Sequence, residues 1–209
     1  MTQIQLEGAA DDGLTFDMRT VTADLIREDN EYSGVKVFLR ARLATAVEPF
    51  HNDINVGDPI WPAPGEVLLP KVTRGEIRLL GYPMTMVLAE KAVTALQRST
   101  ANTRWRDFGD IYQLTGRHSY IKVMEHGALI EVDRYRKVEF SALRSVLGGF
   151  AELGQTRYIR WRDRLALDDR LPDSFAEVLD ALFAHVDPLV FEDELSESAA
   201  WDPVRRSWI

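Results

Sequence analysis

The sequence predicts an α+β protein, with a sheet-bearing front half and a helical back half. Three observations predict it. Short runs rich in Val, Phe, Leu and Ile lie between residues 14 and 80, and some alternate with a period of two. Turn formers crowd the middle, with Gly57, Pro59, Pro62, Pro64 and Gly65. From Pro83 onward the apolar residues recur at helical spacing.

In order, Leu14-Thr15-Phe16 follows an Asp12-Gly13 turn signal and reads as a strand. Gly34 to Leu43 reads as a second, with partial alternation. Phe50 to Val56 alternates strictly, with Phe50, Asn52, Ile54 and Val56 on one side and His51, Asp53 and Asn55 on the other. Glu76 to Leu80 is a further short strand ended by Gly81. Pro83 suits a first helical position, and a helix to about Arg98 follows. Asn102 or Thr103 is placed to cap a helix over 104–114. Further helices are expected at 119–134 (capped by Ser119), 140–152, 155–166 and 173–186, the last opened by Pro172-Asp173-Ser174. The acidic tail from Pro188 reads as irregular. The expected organisation is 1–82, 83–187 and a tail, 188–209.

Composition narrows the function. The chain has 209 residues, 45% hydrophobic and 28% charged, which suits a folded domain with a real core. It contains no cysteine, which removes disulfides, thiolate metal sites and cysteine nucleophiles. No apolar run is long enough for a membrane span, and Met1-Thr2-Gln3-Ile4-Gln5 lacks signal-peptide order, so a cytoplasmic protein is expected. Lys+Arg number 25 and Asp+Glu 33, so the net charge is 25 − 33 = −8, but that sum hides blocks. Residues 1–31 carry eight acids and two arginines, and 187–202 carry six acids and no basic residue. Residues 134–170 carry nine basic residues and five acids, a +4 middle where an acidic chain could still meet nucleic acid.

Four features break their local pattern. Asp53 stands in an apolar strand, followed by Gly57-Asp58; it either faces water or lines a cleft and holds a divalent cation through oxygen. On the helix from Met84, at 100° per residue, Lys91 falls at about 340°, among Val87 (about 300°), Ala95 (about 20°) and Leu88 (about 40°). A lysine on an apolar stripe either snorkels to its edge or serves an anionic ligand. Asp107 and Asp110, in Arg104-Trp105-Arg106-Asp107-Phe108-Gly109-Asp110, are i, i+3 neighbours. Asp107 borders the face formed by Trp105, Phe108 and Tyr112; it is either a first-turn acid paired with Arg104 or Arg106, or a site residue. Arg157, Arg160 and Arg164 form one helical stripe with Trp161 beside it. That pattern suits either an RNA end, with phosphates on the arginines and a base on the ring, or a helix salt-bridged to Asp163 or the acidic tail.

Other chemistries are missing. The four histidines (51, 118, 126, 185) lack metal-ligand spacing. There is no Gly-x-Ser-x-Gly elbow, Walker loop or Gly-x-Gly-x-x-Gly, which disfavours serine hydrolases, P-loop NTPases and dinucleotide oxidoreductases.

An ordered set of segments carries a resemblance: Asp12-Gly13-Leu14-Thr15-Phe16-Asp17, Glu31-Tyr32-Ser33-Gly34-Val35-Lys36-Val37, Asn52-Asp53-Ile54-Asn55-Val56-Gly57-Asp58-Pro59, Gly81-Tyr82-Pro83, Ala89-Glu90-Lys91 and Asn102-Thr103-Arg104-Trp105-Arg106-Asp107-Phe108-Gly109-Asp110-Ile111-Tyr112. Over about residues 12–187 the chain resembles the AbiEii/AbiGii toxin family of nucleotidyltransferases from bacterial type IV toxin–antitoxin systems. The resemblance implies a DNA polymerase beta-like nucleotidyltransferase core with a shortened mixed sheet, followed by a helical region. It implies transfer of a nucleoside monophosphate from an NTP, with Mg²⁺, to RNA such as a tRNA 3′ end. Carried over by residue, Asp53 would bind metal, Lys91 the triphosphate, and Asp107 would be the catalytic acid, supported by Arg104 and Asp110. Arg106 stands where the family usually has lysine. Arg157, Arg160, Arg164 and Trp161 would hold the RNA. The family opens with a Gly-Ser motif and an Asp-x-Asp pair that this sequence does not show. The expectations are therefore a shortened enzyme, with a separately encoded N-terminal segment as one conceivable partner beside the cognate antitoxin, or a catalytically inactive remnant that binds RNA or antitoxin.

Overall fold

The computed structural model describes residues 13–28, 32–57, 59–72, 74–191 and 195–209. The sequence signals at Asp12, Glu31 and Asp58, and the acids Glu192, Asp193 and Glu194, lie outside them. The chain divides into two compact units, residues 1–58 and 59–209.

The first unit is an antiparallel meander of β1 (Leu14–Glu28), β2 (Tyr32–Leu43) and β3 (Ala46–Val56), in that order. Strand β1 runs far beyond the three residues expected from sequence, because Thr22 to Glu28 continues to pair with β2 after a register shift between Asp17 and Thr22. Arg19 and Thr20 sit in that shift: Asp17 accepts from the Arg19 backbone and side chain, and Thr20 Oγ1 donates to the Asp17 carbonyl. The register of β3 is the one its alternation dictates. Phe50 faces Leu39 and Ile54 faces Val35, while Asp53 faces Lys36 and His51 faces Phe38.

The second unit opens with a hairpin, β4 (Gly65–Pro70) and β5 (Glu76–Gly81). Strand β4 was hidden in the sequence by the Pro/Gly-rich run before it. Among the described residues six α-helices follow: α1 (Met84–Arg98), α2 (Trp105–Thr115), α3 (Lys122–Arg136), α4 (Leu143–Val146), α5 (Phe150–Arg164) and α6 (Phe175–Phe191). The expected helix at 140–152 is two elements. Gly149 adopts φ 75°, a conformation costly for other residues, and the chain turns there before α5 begins. Helix α3 starts at Lys122 without a side-chain cap, so Ser119 does not serve the predicted role. At α2, Asn102 Oδ1 accepts from the Arg104 backbone N–H at 2.8 Å and sets the entry to the helix.

Two corrections concern the C-terminus. Helix α6 runs through Pro188 to Phe191, because Val186, Leu189 and Val190 keep its apolar face on the core. The tail expected to be irregular closes into a hairpin, β6 (Trp201–Asp202) with β7 (Ser207–Trp208). Trp201 is fully buried; its Nε1 donates to the Thr115 carbonyl at 2.7 Å, and Trp208 Nε1 donates to the His185 carbonyl at 3.0 Å. The core gathers Met86, Leu88 and Val93 of α1, Phe108 and Ile111 of α2, Leu129 of α3, Phe150 and Tyr158 of α5, and Phe175, Leu179 and Leu182 of α6. Phe175 anchors it, with Trp105, Phe108 and Phe150 edge-on at 5.3–5.5 Å.

Candidate functional site

Helices α1 and α2 bring Lys91, Asp107 and Asp110 together. Lys91 lies on the α1 stripe between buried Leu88 and Ala95, so its stem is covered and its ammonium emerges at the stripe's edge. There Nζ meets Asp107 Oδ1 and Asp110 Oδ2, both at 2.9 Å. The lysine neither reaches open water nor stands alone; the adjacent helix supplies two carboxylates. The i, i+3 spacing makes this possible, since both acids project from one side of α2. The side chain of Asp107 is 6% exposed, that of Lys91 18% and that of Asp110 32%.

Two arginines complete the cluster. Arg104 Nε lies 2.6 Å from Asp107 Oδ2, an ion contact whose N–H is not aimed at the oxygen, which leaves that buried atom without an aligned donor among the described residues. Arg106 Nε is 3.7 Å from Asp110 Oδ2, and its side chain is 83% exposed. Lys91, Arg104 and Arg106 thus surround the two carboxylates. Asn102, whose Oδ1 accepts from the Arg104 N–H, is buried, and its Nδ2 has no hydrogen-bond partner among the described residues. The arrangement offers an anion the exposed Arg106 at its edge, and two carboxylates, Asp107 in the first turn of α2 and Asp110 one turn later, that carry lone pairs beyond those the cations use.

Asp53 lies in the first unit and pairs with Lys36 across β2–β3 at 3.5 Å, its side chain 49% exposed. Among the described residues no group of three or more His, Asp or Glu is placed to hold a metal ion. On α5, Arg157, Arg160 and Arg164 are exposed and make no ion pair among the described residues. Trp161 is half-buried, packed against the core and over Gly109 of α2, where an added Cβ would sit 3.0 Å from its ring. The salt bridge to Asp163 belongs instead to Arg162, which the sequence reading passed over. Arg162 is buried, donates to the Leu171 carbonyl at 3.0 Å and pairs with Asp173 at 2.7 Å. Its i+4 relation to Tyr158 on the inner face was the available signal.

A second buried polar pair also escaped the sequence reading. Glu125 Oε2 and His185 Nε2 lie 3.3 Å apart, both side chains nearly inaccessible, with Glu125 Oε1 and His185 Nδ1 unpartnered among the described residues. Burial pushes the Glu125 carboxyl up, against the pull of His185. The same burial raises the Tyr120 hydroxyl beside it, with the Glu125 charge adding to the effect. The imidazole is boxed by Trp201 at 4.6 Å, Trp208 at 5.2 Å and Tyr120 at 5.3 Å. A histidine inside the apolar run from Val178 to Leu189 was the signal to follow.

Helices α1 and α2 thus clamp a lysine between two carboxylates, with arginines at the edge, in an α+β chain whose relatives are nucleotidyltransferases. The family model described as nucleotidyl transferase AbiEii toxin, type IV TA system, matches residues 6–197. The chain belongs to this AbiEii family of nucleotidyltransferase toxins, whose type IV systems pair each toxin with a cognate antitoxin. No curated protein and no solved structure matches it. Among the described residues no helix is long and apolar enough to cross a membrane.

Proposed function

We propose that this chain is a cytoplasmic toxin that transfers a nucleoside monophosphate from an NTP to the 3′ end of an RNA, with tRNA the expected acceptor and phage defence the expected setting. The observation that carries this reading is the Lys91 ammonium held at 2.9 Å from both Asp107 and Asp110, at an edge where Arg104 and Arg106 add positive charge. In this reading the RNA hydroxyl attacks the α-phosphorus, a new P–O bond forms, pyrophosphate leaves, and the hydroxyl proton passes to Asp107. Lys91 and Arg104 hold the triphosphate, and Lys91 releases Asp107 to do so, which frees that carboxylate to accept the proton. Asp110 keeps Lys91 and Arg106 in place.

Mg²⁺ belongs to the same proposal. Such an ion is commonly held by one or two carboxylates together with substrate phosphates, and Asp107 and Asp110 are a donor pair of that kind; Asp53, the metal ligand the resemblance implies, lies in the other unit. Bound there with the NTP it would neutralise charge on the phosphates and the leaving group. The polymerase beta-like core is likewise part of this reading, supported by the family match and the mixed α+β make-up.

To test it, the full chain is incubated with α-labelled NTPs, Mg²⁺ and tRNA, beside Lys91→Ala and Asp107→Ala checked for folding by circular dichroism. Label on the RNA with the wild type and none with either folded variant is expected. No transfer by the wild type, or equal transfer by both variants, overturns the reading. The absence of any cluster of three metal-ligating side chains among the described residues favours the second reading, an inactive relative that binds RNA or antitoxin. RNA binding without transfer, indifferent to Mg²⁺, would establish it.

A further inference from the structure

Helices α2 and α5 touch where Trp161 lies over Gly109. Inward of that contact both helices face the core, through Trp105 and Phe108 on α2 and Tyr158 on α5. Outward of it both face solvent, so their outer faces flank one groove. On α5, at 100° per residue from Tyr158, Trp161 falls at about 300°, Arg157 at about 260°, Arg164 at about 240° and Arg160 at about 200°. The acids of α5 lie elsewhere, Asp163 at about 140° and Glu152 at about 120°. On α2, counted from Gly109, Arg106 falls at about 60° and Asp110 at about 100°. The contact is thus followed outward by Arg106 and then the Lys91 cluster on α2, and by three exposed arginines on α5.

The α5 arginines are not consumed by acids. None of Arg157, Arg160 and Arg164 has an ion pair among the described residues, in a chain whose net charge is −8. Their backbone is held rigid, because Arg162 ties the end of α5 to Leu171 and Asp173. Axially they follow one another at about 4.5 and 6 Å, and the Trp161–Gly109 contact sets their helix against α2. Planar guanidinium groups so displayed match phosphate bidentately. Because Trp161 spends its ring on Gly109, the surface reads backbone charge rather than bases.

We propose that this outer groove, floored by Gly109 and Trp161 and lined by Arg106, Arg157, Arg160 and Arg164, holds the phosphodiester backbone of a single RNA strand and leads its 3′ end to Lys91. The direction toward Lys91 rests on the transferase reading above; the groove itself does not.

Fluorescence anisotropy of the full chain with a labelled single-stranded oligoribonucleotide, over a salt series, tests it. Each lost phosphate contact lowers the slope of log affinity against log salt by about 0.7, so Arg157→Gln/Arg160→Gln/Arg164→Gln should lower it by about 2 and Arg160→Gln alone by about 0.7. These side chains are exposed, and unchanged circular dichroism verifies the fold. Lys91→Met should retain RNA binding while losing nucleotide transfer. Arginine-dependent binding without transfer by the wild type would uphold the groove and sink only the transferase reading. No binding by the wild type, or an unchanged slope in both arginine variants, overturns the groove.

Discussion

Lys91→Met keeps the buried stem and removes only the charge that joins α1 to α2. Two charge-assisted contacts of 2.9 Å vanish. Asp107, its side chain 6% exposed, is left with the misaligned Arg104, while Asp110 recovers some water at 32% exposure. Breaking a fully buried pair costs about 3–5 kcal/mol; the remaining arginine and the partial exposure of Asp110 reduce this to about 2–3 kcal/mol. For a chain of this size that corresponds to a melting shift of roughly 5–10 °C. All five tryptophans lie at residue 61 or beyond, so urea unfolding followed by their fluorescence reports the second unit alone. Asp107→Asn and the double variant complete a cycle, with an expected coupling of about 1.5–2 kcal/mol. A loss below about 0.5 kcal/mol for Lys91→Met, or a coupling near zero, would show that the cluster does not hold the helices together and would refute the argument.

Three further outcomes follow from other sites. The folded-state pKa of Glu125 is raised by burial, so its contribution to stability is full below its ordinary value of 4.5 and is lost as pH rises through the raised value. Glu125→Gln should therefore gain on the wild type between pH 5 and pH 8 in urea titrations, and a relative loss with rising pH would contradict the assignment. Gly127→Ala places a Cβ 2.4 Å from the Trp61 ring; the overpacking cost of about 1–3 kcal/mol exceeds the helix-propensity gain of about 1, so a net loss and a shifted tryptophan emission are expected. Arg206 sits 3.8 Å over the Tyr112 ring and donates to the Tyr112 carbonyl at 3.1 Å, so Arg206→Ala should cost about 1–2 kcal/mol, read by thermal melting.

The legible part of the site was the part written in local spacing. Lys91 broke an apolar stripe, and Asp107 and Asp110 stood three apart, so each announced itself within its own helix. Their meeting was not legible, because it depends on how α1 packs on α2 across the Ser99–Arg104 connection. The same limit explains Glu125 and His185, 60 residues apart in sequence and one buried pair in space. The split between α4 and α5 was written in Gly148-Gly149, two glycines that an apolar pattern overran. The tail was misread for another reason: its acids outnumbered its cues, and Trp201 and Trp208, spaced for a tight hairpin around Pro203, carried more weight than the net charge. For the arginine stripe, spacing gave the face, but only the Trp161–Gly109 contact related that face to α2.

The C-terminal hairpin has a consequence for how the molecule is made. Trp201 fills the centre of the helical unit and Arg206 caps the far end of α2, yet both emerge from the ribosome after every helix they close. They also lie past residue 197, where the family match ends. Until these residues appear, the Thr115 and His185 carbonyls lack their tryptophan donors and the space that Trp201 fills is unfilled. The second unit therefore cannot reach its final packing during most of its own synthesis.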